Sequence, residues 1–414
     1  MTYRVLNFLL WPLWFFYTLR VAIREKNLRY FKQRLGYGYL VESAAPVWIH
    51  CASVGEVNTW LPLHQLFTQR YPSLHFVITT NTPTGAQIVA KHGLCNTRHV
   101  FLPMDTVSAV SRFYARIKPR LALVLETELW PELYRQCQAN NIPLIIVNAR
   151  LSHKTRNVND WVKRLYAMAL QQVSQVLCRT QADADAYVEL GAESSKVKVV
   201  GNLKFATLKN IQNEPPRDFT DRPYVLAAST HADEEWQLAK LWQAAAMQNQ
   251  LLVIAPRHPK RRDDILRQLQ SLNLQIAVRS RNDAVTSATQ VYIADTLGEL
   301  VSFMQQADVV IMGGSLVQRG GQNLLEPARL GKAIIVGPHM FNFAAETELF
   351  LQHHACLQVQ NVDELAVALQ SCLLDSSVRV ELGRNAQALM QNQGDTAERY
   401  MSAIGERYAE LLAE

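Results

Sequence analysis

The feature that most constrains the fold is a regular alternation of short apolar runs with helical stretches, such as residues 160–173. Strands that alternate with helices predict parallel sheets that are covered by helices on both faces. The alternation comes in two series. The expected strands of the first series are Val47–Ala52, His75–Thr80, Leu121–Leu125, Leu144–Val147, Gln175–Cys178 and Val197–Val200. The expected strands of the second series are Tyr224–Ala228, Leu251–Ile254, Leu274–Val278, Val291–Ile293, Val309–Met312 and Ala333–Val336.

A polar, proline-containing stretch separates the two series and predicts a domain boundary. It spans residues 209–223 and includes the pair Pro215-Pro216. A length of 414 residues also fits two domains. We therefore expect an N-terminal domain at 35–208, a linker at 209–223 and a C-terminal domain at 224–414 that ends in helices.

Composition excludes several classes of protein and of site. With 49% hydrophobic and 19% charged residues, the chain is neither disordered, collagenous nor a coiled-coil rod. No two of its six cysteines have C-x-x-C spacing, which predicts free thiols rather than a disulfide framework. No cluster of cysteine and histidine has zinc-ligand spacing either. We expect no metal and no cofactor.

The first 34 residues predict a membrane anchor. Residues 5–19 read VLNFLLWPLWFFYTL and carry no charge, and their tryptophan and tyrosine side chains suit a membrane interface. Residues 1–34 hold seven basic residues and one acidic residue, so they carry the whole net charge of +6. Basic side chains after an apolar run predict contact with anionic lipid on the cytoplasmic side.

A cleaved signal peptide and a buried core helix are the alternatives for this segment. A signal peptide fits poorly, because the charges follow the apolar run and no small-residue cleavage site comes after it. The remaining chain is electrically neutral, which argues against a nucleic-acid partner. We expect both domains on the cytoplasmic face of the membrane, with membrane lipids as partners.

Three strand ends of the second series predict a nucleotide site. The loop 313–327 is glycine-rich and leads into an expected helix near Asn323, where free N–H groups suit one phosphate. Glu326 in the first turn could accept ribose hydroxyl hydrogen bonds, or could simply complement the helix dipole. Arg257 follows a second strand and Gly298-Glu299 follows a third. The loop lacks the G-x-G-x-x-G and P-loop patterns of dinucleotide and P-loop enzymes.

Carboxylates at strand ends of the first series predict acid–base chemistry. Glu56 lies at a strand-to-helix turn, where it is either a helix cap or a base. Glu126 and Glu128 follow another strand, and we expect them to share a face if the chain stays extended. Lys204 follows the last strand. The pair Asp183 and Asp185 resembles a metal-binding D-x-D motif, but we interpret it as part of a capped helix.

Ten motifs, taken together, resemble one known family. In order they read SVGEV, TTNTPTGA, ETELWP, NARLS, GNLKF, STHADEE, PRHP, DTLGEL, GGSLVQRGGQNLLEPA and GPHMFNF, from about residue 47 to 343. They resemble the 3-deoxy-D-manno-octulosonic acid (Kdo) transferases of lipopolysaccharide synthesis. The resemblance implies an α/β fold of the GT-B type, with two Rossmann-like domains facing a cleft. It also implies inverting, metal-independent transfer of Kdo from CMP-Kdo to the lipid A precursor at the bacterial inner membrane.

The resemblance also implies roles for individual residues. Glu56 matches the family's general base, and Glu126 and Lys204 match its transition-state stabilisers. The family's CMP-binding segments match Pro256, Arg257, Leu297, Gly298, Glu299, Asn323, Leu324, Leu325 and Glu326. The chain departs from the family at Leu324, where proline is frequent, and at Ala206, where aspartate is usual.

Two other functions remain open at this point. One is a GT-B glycosyltransferase that uses a UDP-sugar, and the other is a membrane-tethered, Rossmann-like binding protein without catalysis. The sequence does not determine how many Kdo residues are added, whether the acceptor must carry a phosphate, or the oligomeric state. It also leaves open whether the N-terminal segment spans the membrane or lies on it as an interfacial helix.

Overall fold

The chain folds into two compact units. The computed structural model describes residues 2–41, 44–151, 153–206, 219–244 and 250–413. Unit 1 comprises Met1–Leu208 and Gln393–Glu414, and unit 2 comprises Lys209–Asn392. Most of the expected linker, residues 209–218, lies outside the described residues.

In unit 1, seven strands of the described chain form one parallel sheet. They are β1 (Val47–His50), β2 (Phe76–Thr80), β3 (Thr97–Phe101), β4 (Leu121–Leu125), β5 (Leu144–Ala149), β6 (Gln175–Cys178) and β7 (Val197–Val199). Their order is β3-β2-β1-β4-β5-β6-β7. Every residue of β1, β2, β4 and β5 is buried, as expected for strands with helices on both faces.

Helices connect these strands and cover both faces of the sheet. They are α1 (Thr2–Arg24), α2 (Leu28–Arg34), α3 (Val54–Arg70), α4 (Pro83–His92), α5 (Val107–Ile117), α6 (Pro131–Ala139), α7 (His153–Arg156), α8 (Asp160–Leu170) and α9 (Gln181–Glu189). The order of the strands reverses between β1 and β4. Such a switch point opens a crevice at the carboxyl ends of the strands, where ligands of this architecture bind.

The structure corrects the assignment of the C-terminal helices. The whole of 224–414 was expected in the second domain, but α17 (Thr396–Ala413) belongs to unit 1 and packs against α3. Its buried side chains Tyr400, Met401 and Ile404 join the apolar core on the α3 side of the sheet. Periodicity predicts a helix but not the sheet against which its apolar face packs.

The N-terminal segment is also part of unit 1 rather than a separate domain at 1–34. In α2, Tyr30 is buried against Phe101, and the Gln33 side chain accepts a hydrogen bond of 2.9 Å from the Phe101 N–H. Arg34 donates to the Leu102 carbonyl at 2.9 Å. Basic residues after the apolar run therefore also hold α2 on the edge of the sheet.

Unit 2 has a second sheet, again parallel and seven-stranded within the described residues. Its strands are β8 (Tyr224–Thr230), β9 (Leu251–Pro256), β10 (Ile276–Val278), β11 (Val291–Ile293), β12 (Val309–Met312), β13 (Ala333–Val336) and β14 (Leu357–Gln358), in the order β10-β11-β9-β8-β12-β13-β14. Its helices are α10 (Glu234–Ala244), α11 (Arg262–Leu269), α12 (Leu300–Gln306), α13 (Leu325–Arg329), α14 (Ala344–Gln352), α15 (Val362–Leu374) and α16 (Ser376–Gln393). The switch point lies between β8 and β12.

The two sheets confirm the predicted α/β class. All twelve expected strands are present, and there are two more that the sequence did not predict. β3 was missed because it reads TRHVF and its first three residues are only partly buried at the edge of the sheet. β14 was missed because it has two residues. Edge strands lack the continuous apolar run that identifies a buried parallel strand.

Candidate active site

Glu56 lies at the switch point of the first sheet, in the first turn of α3. Ser53 is the N-cap: its Oγ accepts from the Glu56 N–H at 3.3 Å and donates to Glu56 Oε1 at 3.1 Å. Glu56 Oε2 accepts from the Ala52 N–H at 2.7 Å. This reciprocal capping box fixes the carboxylate at the carboxyl end of β1. The side chain is only 8% exposed.

The electrostatics of Glu56 differ from those of an ordinary helix cap. Burial, and after it the charges of the nearby Glu126 and Glu128, raise the pKa of Glu56 to about 8, against the hydrogen bonds from Ala52 and Ser53. A carboxylate with a pKa near neutrality is suited to take up a proton during a reaction. The capping and the catalytic interpretations of Glu56 are therefore compatible.

Glu128 has the opposite electrostatic character. Burial opposes its ionisation, but contacts with His50, Trp130 and Asn81 outweigh burial and hold the pKa of Glu128 below its usual value. Trp130 Nε1 donates to Glu128 Oε2 at 2.7 Å, Asn81 Nδ2 donates at 3.3 Å, and His50 Nε2 lies 3.5 Å from the same oxygen. Glu128 is thus a fixed negative charge and a weaker candidate for the base than Glu56.

Glu126 does not share an extended strand with Glu128, so the expected reason for their convergence is wrong. β4 ends at Leu125, and Glu126 has a positive φ of 56°. Its N–H still donates to the Val147 carbonyl at 2.9 Å, and its carboxylate lies 3.6 Å from the Arg150 Nε. A left-handed glutamate costs about 1 kcal/mol, a strain that is found often at functional sites.

Lys204 lies in a short 3-10 turn, Leu203–Phe205, that leads back from β7 along the carboxyl edge of the sheet. The Leu203 N–H donates to Asn148 Oδ1, at the end of β5, at 2.9 Å, and the Lys204 N–H donates to Asn202 Oδ1 at 3.1 Å. The turn packs against α3, the helix that carries Glu56. Unit 1 therefore gathers all of its predicted catalytic residues at one edge.

In unit 2, the glycine-rich loop after β12 is held by Glu234, a residue that the sequence analysis did not single out. Its fully buried carboxylate accepts from the N–H groups of Gly314 at 2.7 Å, Ser315 at 3.1 Å and Leu316 at 3.0 Å. It also accepts from the His231 N–H at 2.8 Å, which caps α10. The signal that could have identified it is a run of three acidic residues, Asp233 to Glu235, that begins three positions after the end of β8.

Two predicted nucleotide-binding residues meet beside this loop. Burial raises the pKa of Glu326, against the Asn323 hydrogen bond and the charges of Arg257 and Arg329. The Asn323 amide donates to Glu326 Oε1 at 3.1 Å and accepts from the Leu325 N–H at 3.2 Å. Arg257 and Glu326, from separate strand ends, are therefore electrostatically coupled.

The helix expected at this loop is shorter than a phosphate site on a helix dipole requires. α13 begins at Leu325 after the buried N-cap Leu324 and has five residues. A helix of little more than one turn adds little dipole, so any phosphate contact here comes from individual N–H groups. Pro256 ends β9, and the Arg257 N–H donates to the Thr230 carbonyl at 2.9 Å.

The third predicted nucleotide-binding segment, residues 297–299 after β11, has two different parts. Glu299 forms a bidentate ion pair with Arg279, at 2.7 and 3.2 Å, and also accepts from Thr296 Oγ1. Its carboxylate therefore holds the loop together. Leu297 is 83% exposed and Gly298 has a φ of 84°, so these two residues are the accessible part of the segment.

No group of three or more histidine, cysteine, aspartate or glutamate residues in the described chain has a geometry that could hold a metal ion. Asp183 is engaged structurally, since Thr180 Oγ1 donates to it at 2.8 Å and its own N–H donates back to Thr180. This agrees with the interpretation of the D-x-D pattern as part of a capped helix.

Comparisons with known proteins identify the family of the chain. Residues 29–207 match the family model described as 3-deoxy-D-manno-octulosonic-acid transferase (kdotransferase). A 3-deoxy-D-manno-octulosonic acid transferase from Haemophilus influenzae is 34% identical over 89% of this chain and 90% of its own length. One from Bordetella pertussis is 35% identical over 72% of this chain and 73% of its own length.

Solved structures are similar as well. UDP-GlcNAc 2-epimerase from Neisseria meningitidis aligns with 86% of this chain and 98% of its own chain, with a TM-score of 0.60. The sequence identity is 14%, so the likeness is one of fold alone. The C-terminal CMP-Kdo binding domain of WaaA from Acinetobacter baumannii is 33% identical, covering 42% of this chain and 91% of its own with a TM-score of 0.40. On the extent of identity with the Haemophilus enzyme, the chain belongs to the 3-deoxy-D-manno-octulosonic acid transferases, enzymes that transfer Kdo in lipopolysaccharide biosynthesis.

Proposed function

We propose that the enzyme transfers Kdo from CMP-Kdo to the lipid A precursor, with inversion at the anomeric carbon and Glu56 as the general base. The observation that supports this proposal is the pKa of Glu56, raised to about 8 at the switch point of a sheet beside two further carboxylates. Family membership makes the chain an enzyme, which removes the non-catalytic binding protein as an alternative.

In the proposed reaction, a sugar hydroxyl oxygen of the acceptor forms a bond to the anomeric carbon of Kdo. The bond from that carbon to the phosphate oxygen of CMP breaks, and CMP leaves with the electron pair. Glu56 takes the hydroxyl proton as the new bond forms, because a neutral hydroxyl is a weak nucleophile. Inversion requires attack on the face opposite the leaving group, with the base on the acceptor side.

Glu126 and Lys204 would stabilise the transition state. The anomeric carbon develops positive character as CMP departs, and a fixed carboxylate nearby lowers the energy of that charge. The leaving phosphate and the Kdo carboxylate are both anionic, and a lysine ammonium is a suitable partner for either. Glu128, whose pKa is held low by its neighbours, would help to keep the pKa of Glu56 high, so that the Glu56 carboxylate takes up the proton more readily.

The CMP portion would bind to the strand ends of unit 2. Arg257 supplies a cation for the phosphate, and Glu326 supplies acceptors for ribose hydroxyls. Leu297 and Gly298 offer an exposed backbone for the base. Since α13 is short, Asn323, Leu324 and Leu325 would contribute through the loop backbone, with Glu299 supporting the neighbouring loop from behind.

The reaction would take place at the cytoplasmic face of the bacterial inner membrane. α1 is long and apolar enough to cross a membrane by length and composition, with a mean hydropathy of 1.4 over its most apolar window. Basic residues follow it, as expected for a segment next to anionic lipid. A lipid acceptor makes membrane attachment useful, because enzyme and acceptor then share one surface.

The decisive experiment is an assay with CMP-Kdo and tetraacylated lipid A precursor, with the mass of the product measured. A gain of one or more Kdo units supports the proposal, whereas no product with active donor and acceptor contradicts it. Thermal unfolding in the presence of CMP or UDP distinguishes CMP-Kdo from the competing UDP-sugar donor. A nucleotide that binds the folded protein stabilises it against unfolding by about 2.7 kcal/mol at 100 times its Kd. Stabilisation by UDP alone would favour the competitor.

A further inference from the structure

α1 contacts unit 1 near both of its ends. At the first turn, the Tyr3 hydroxyl donates to Asp105 Oδ2 at 2.5 Å, and Asn7 Nδ2 donates to the Asp105 carbonyl at 2.7 Å. Arg4 Nε lies 3.1 Å from Glu132 Oε2, at the start of α6. Two acidic residues of the folded unit therefore bind three polar side chains in the first two turns of the helix.

The other end of α1 is packed into the same unit. Thr18 is only 1% exposed, and Val21 and Ala22 are buried in one cluster with Tyr30 and Phe101. Phe15 also lies edge to face against Phe31 of α2, at 5.5 Å between ring centres. Positions 3, 7, 15, 18 and 22 follow helical spacing, so one continuous stripe of α1 faces the protein.

The opposite face of α1 carries large apolar side chains that the protein does not cover. Phe8 is 79% exposed and Ile23 is 68% exposed, and Leu9, Leu13 and Phe16 are exposed between them.

Basic side chains border this apolar face. Arg20 and Arg24 lie near the end of the helix, and Lys26, Arg29 and Lys32 follow it. An apolar face bordered by cations matches the chemistry of an anionic lipid interface.

These contacts conflict with a helix that crosses the bilayer. A helix of 23 residues is about 34 Å long. If it crossed a hydrocarbon core of about 30 Å, its first turn would lie on the far side of the membrane from the folded unit. Tyr3, Arg4 and Asn7 could then not reach Asp105 and Glu132, and an arginine would have to move across the bilayer.

We propose that α1 lies in the plane of the membrane interface, with its inner stripe on unit 1 and its outer apolar face in the lipid. The enzyme is then attached to one leaflet without crossing the membrane. This proposal rests on the proposed membrane association, and it specifies the form of that association. It also places unit 1 against the surface from which a lipid acceptor would be taken.

The first test is a depth measurement on the full-length protein in vesicles that contain anionic phospholipid. Nitroxide labels are placed at Phe8→Cys and Ile23→Cys, one at a time, in a Cys95→Ser background, because the other cysteines are buried. Both sites lie on the outer face, so equal depths are expected. A spanning helix would separate them by about 22 Å along the membrane normal, since 15 residues rise about 1.5 Å each. Clearly different depths overturn the proposal.

The second test measures topology in cells and needs no substrate. A Thr2→Cys variant in the Cys95→Ser background reports the position of the N-terminus, and the native chain with its exposed Cys95 reports the position of unit 1. A membrane-impermeant maleimide should label both thiols from the same face. Labelling of residue 2 from the opposite face, or from neither face, overturns the in-plane arrangement and leaves the proposed catalysis untouched. Recovery of the whole chain in the soluble fraction would overturn the membrane association itself.

Discussion

Replacing Glu56 with glutamine tests the proposed base most directly. General-base catalysis contributes about 10²–10⁴-fold to a rate, or about 3–5 kcal/mol of transition-state stabilisation. Glutamine has nearly the same shape as glutamate and keeps one oxygen to accept from the Ala52 N–H, but it cannot take a proton. We therefore expect turnover to fall by about 10²–10⁴-fold while affinity for CMP is retained.

Stability should respond to the same change in a way that depends on pH. The pKa of Glu56 rises from the usual 4.5 to about 8 in the folded protein, so the folded state favours the protonated acid. The stability that this proton provides is fully present below about pH 4.5 and is lost as pH rises through about 8, in total about 5 kcal/mol. Near pH 7 glutamine resembles the protonated acid that predominates. The variant should therefore gain stability relative to the native protein between about pH 5 and 9.

The assay measures turnover, Tm and CMP affinity on one preparation across this pH range. The native enzyme should show kcat/KM rising with pH through an apparent pKa near 8. The matched control is Glu364→Gln: Glu364 lies at the same position of a capping box at the start of α15, with Oε2 accepting from the Gln360 N–H at 2.8 Å, but it is exposed. Near-native turnover by Glu56→Gln would refute the assignment and move the proposed base to Glu128.

Four further substitutions test the rest of the site. Lys204→Met should lower kcat by at least about tenfold with CMP affinity unchanged, as measured by kinetics and calorimetric titration; an unchanged kcat would contradict its role. Glu326→Gln should raise the KM for CMP-Kdo through weakened ribose contacts, whereas Glu299→Gln should mainly lower Tm because Glu299 pairs with Arg279. A rise in KM only for the Glu299 variant would reverse these assignments. Glu234→Ala should lower Tm by several degrees and raise the KM for CMP-Kdo, since each loop N–H left without a partner costs about 1–3 kcal/mol. An unchanged KM would mean that the loop does not bind the nucleotide.

The sequence by itself determined the α/β class, the two series of strands and the strand ends that carry polar residues. These follow from local patterns: an apolar run of four to seven residues between helical segments is sufficient to identify a buried parallel strand. The capping boxes at Glu56 and Asp183 were likewise visible, because the residues that form them are three positions apart.

Only the tertiary structure decided which of these local elements act together. The order of the strands places β1 beside β4, and this juxtaposition gathers Glu56, Glu126 and Glu128 and raises the pKa of the first. No local sequence pattern indicates the left-handed backbone of Glu126. None indicates that Glu234 accepts hydrogen bonds from a loop about 80 residues away. The assignment of α17 to unit 1 and the hydrogen bond from Tyr3 to Asp105 likewise depend on residues that are distant in sequence. Burial and charge at a site are sums over neighbours that are distant in sequence, so a pattern read along the chain identifies the participants but not their electrostatics.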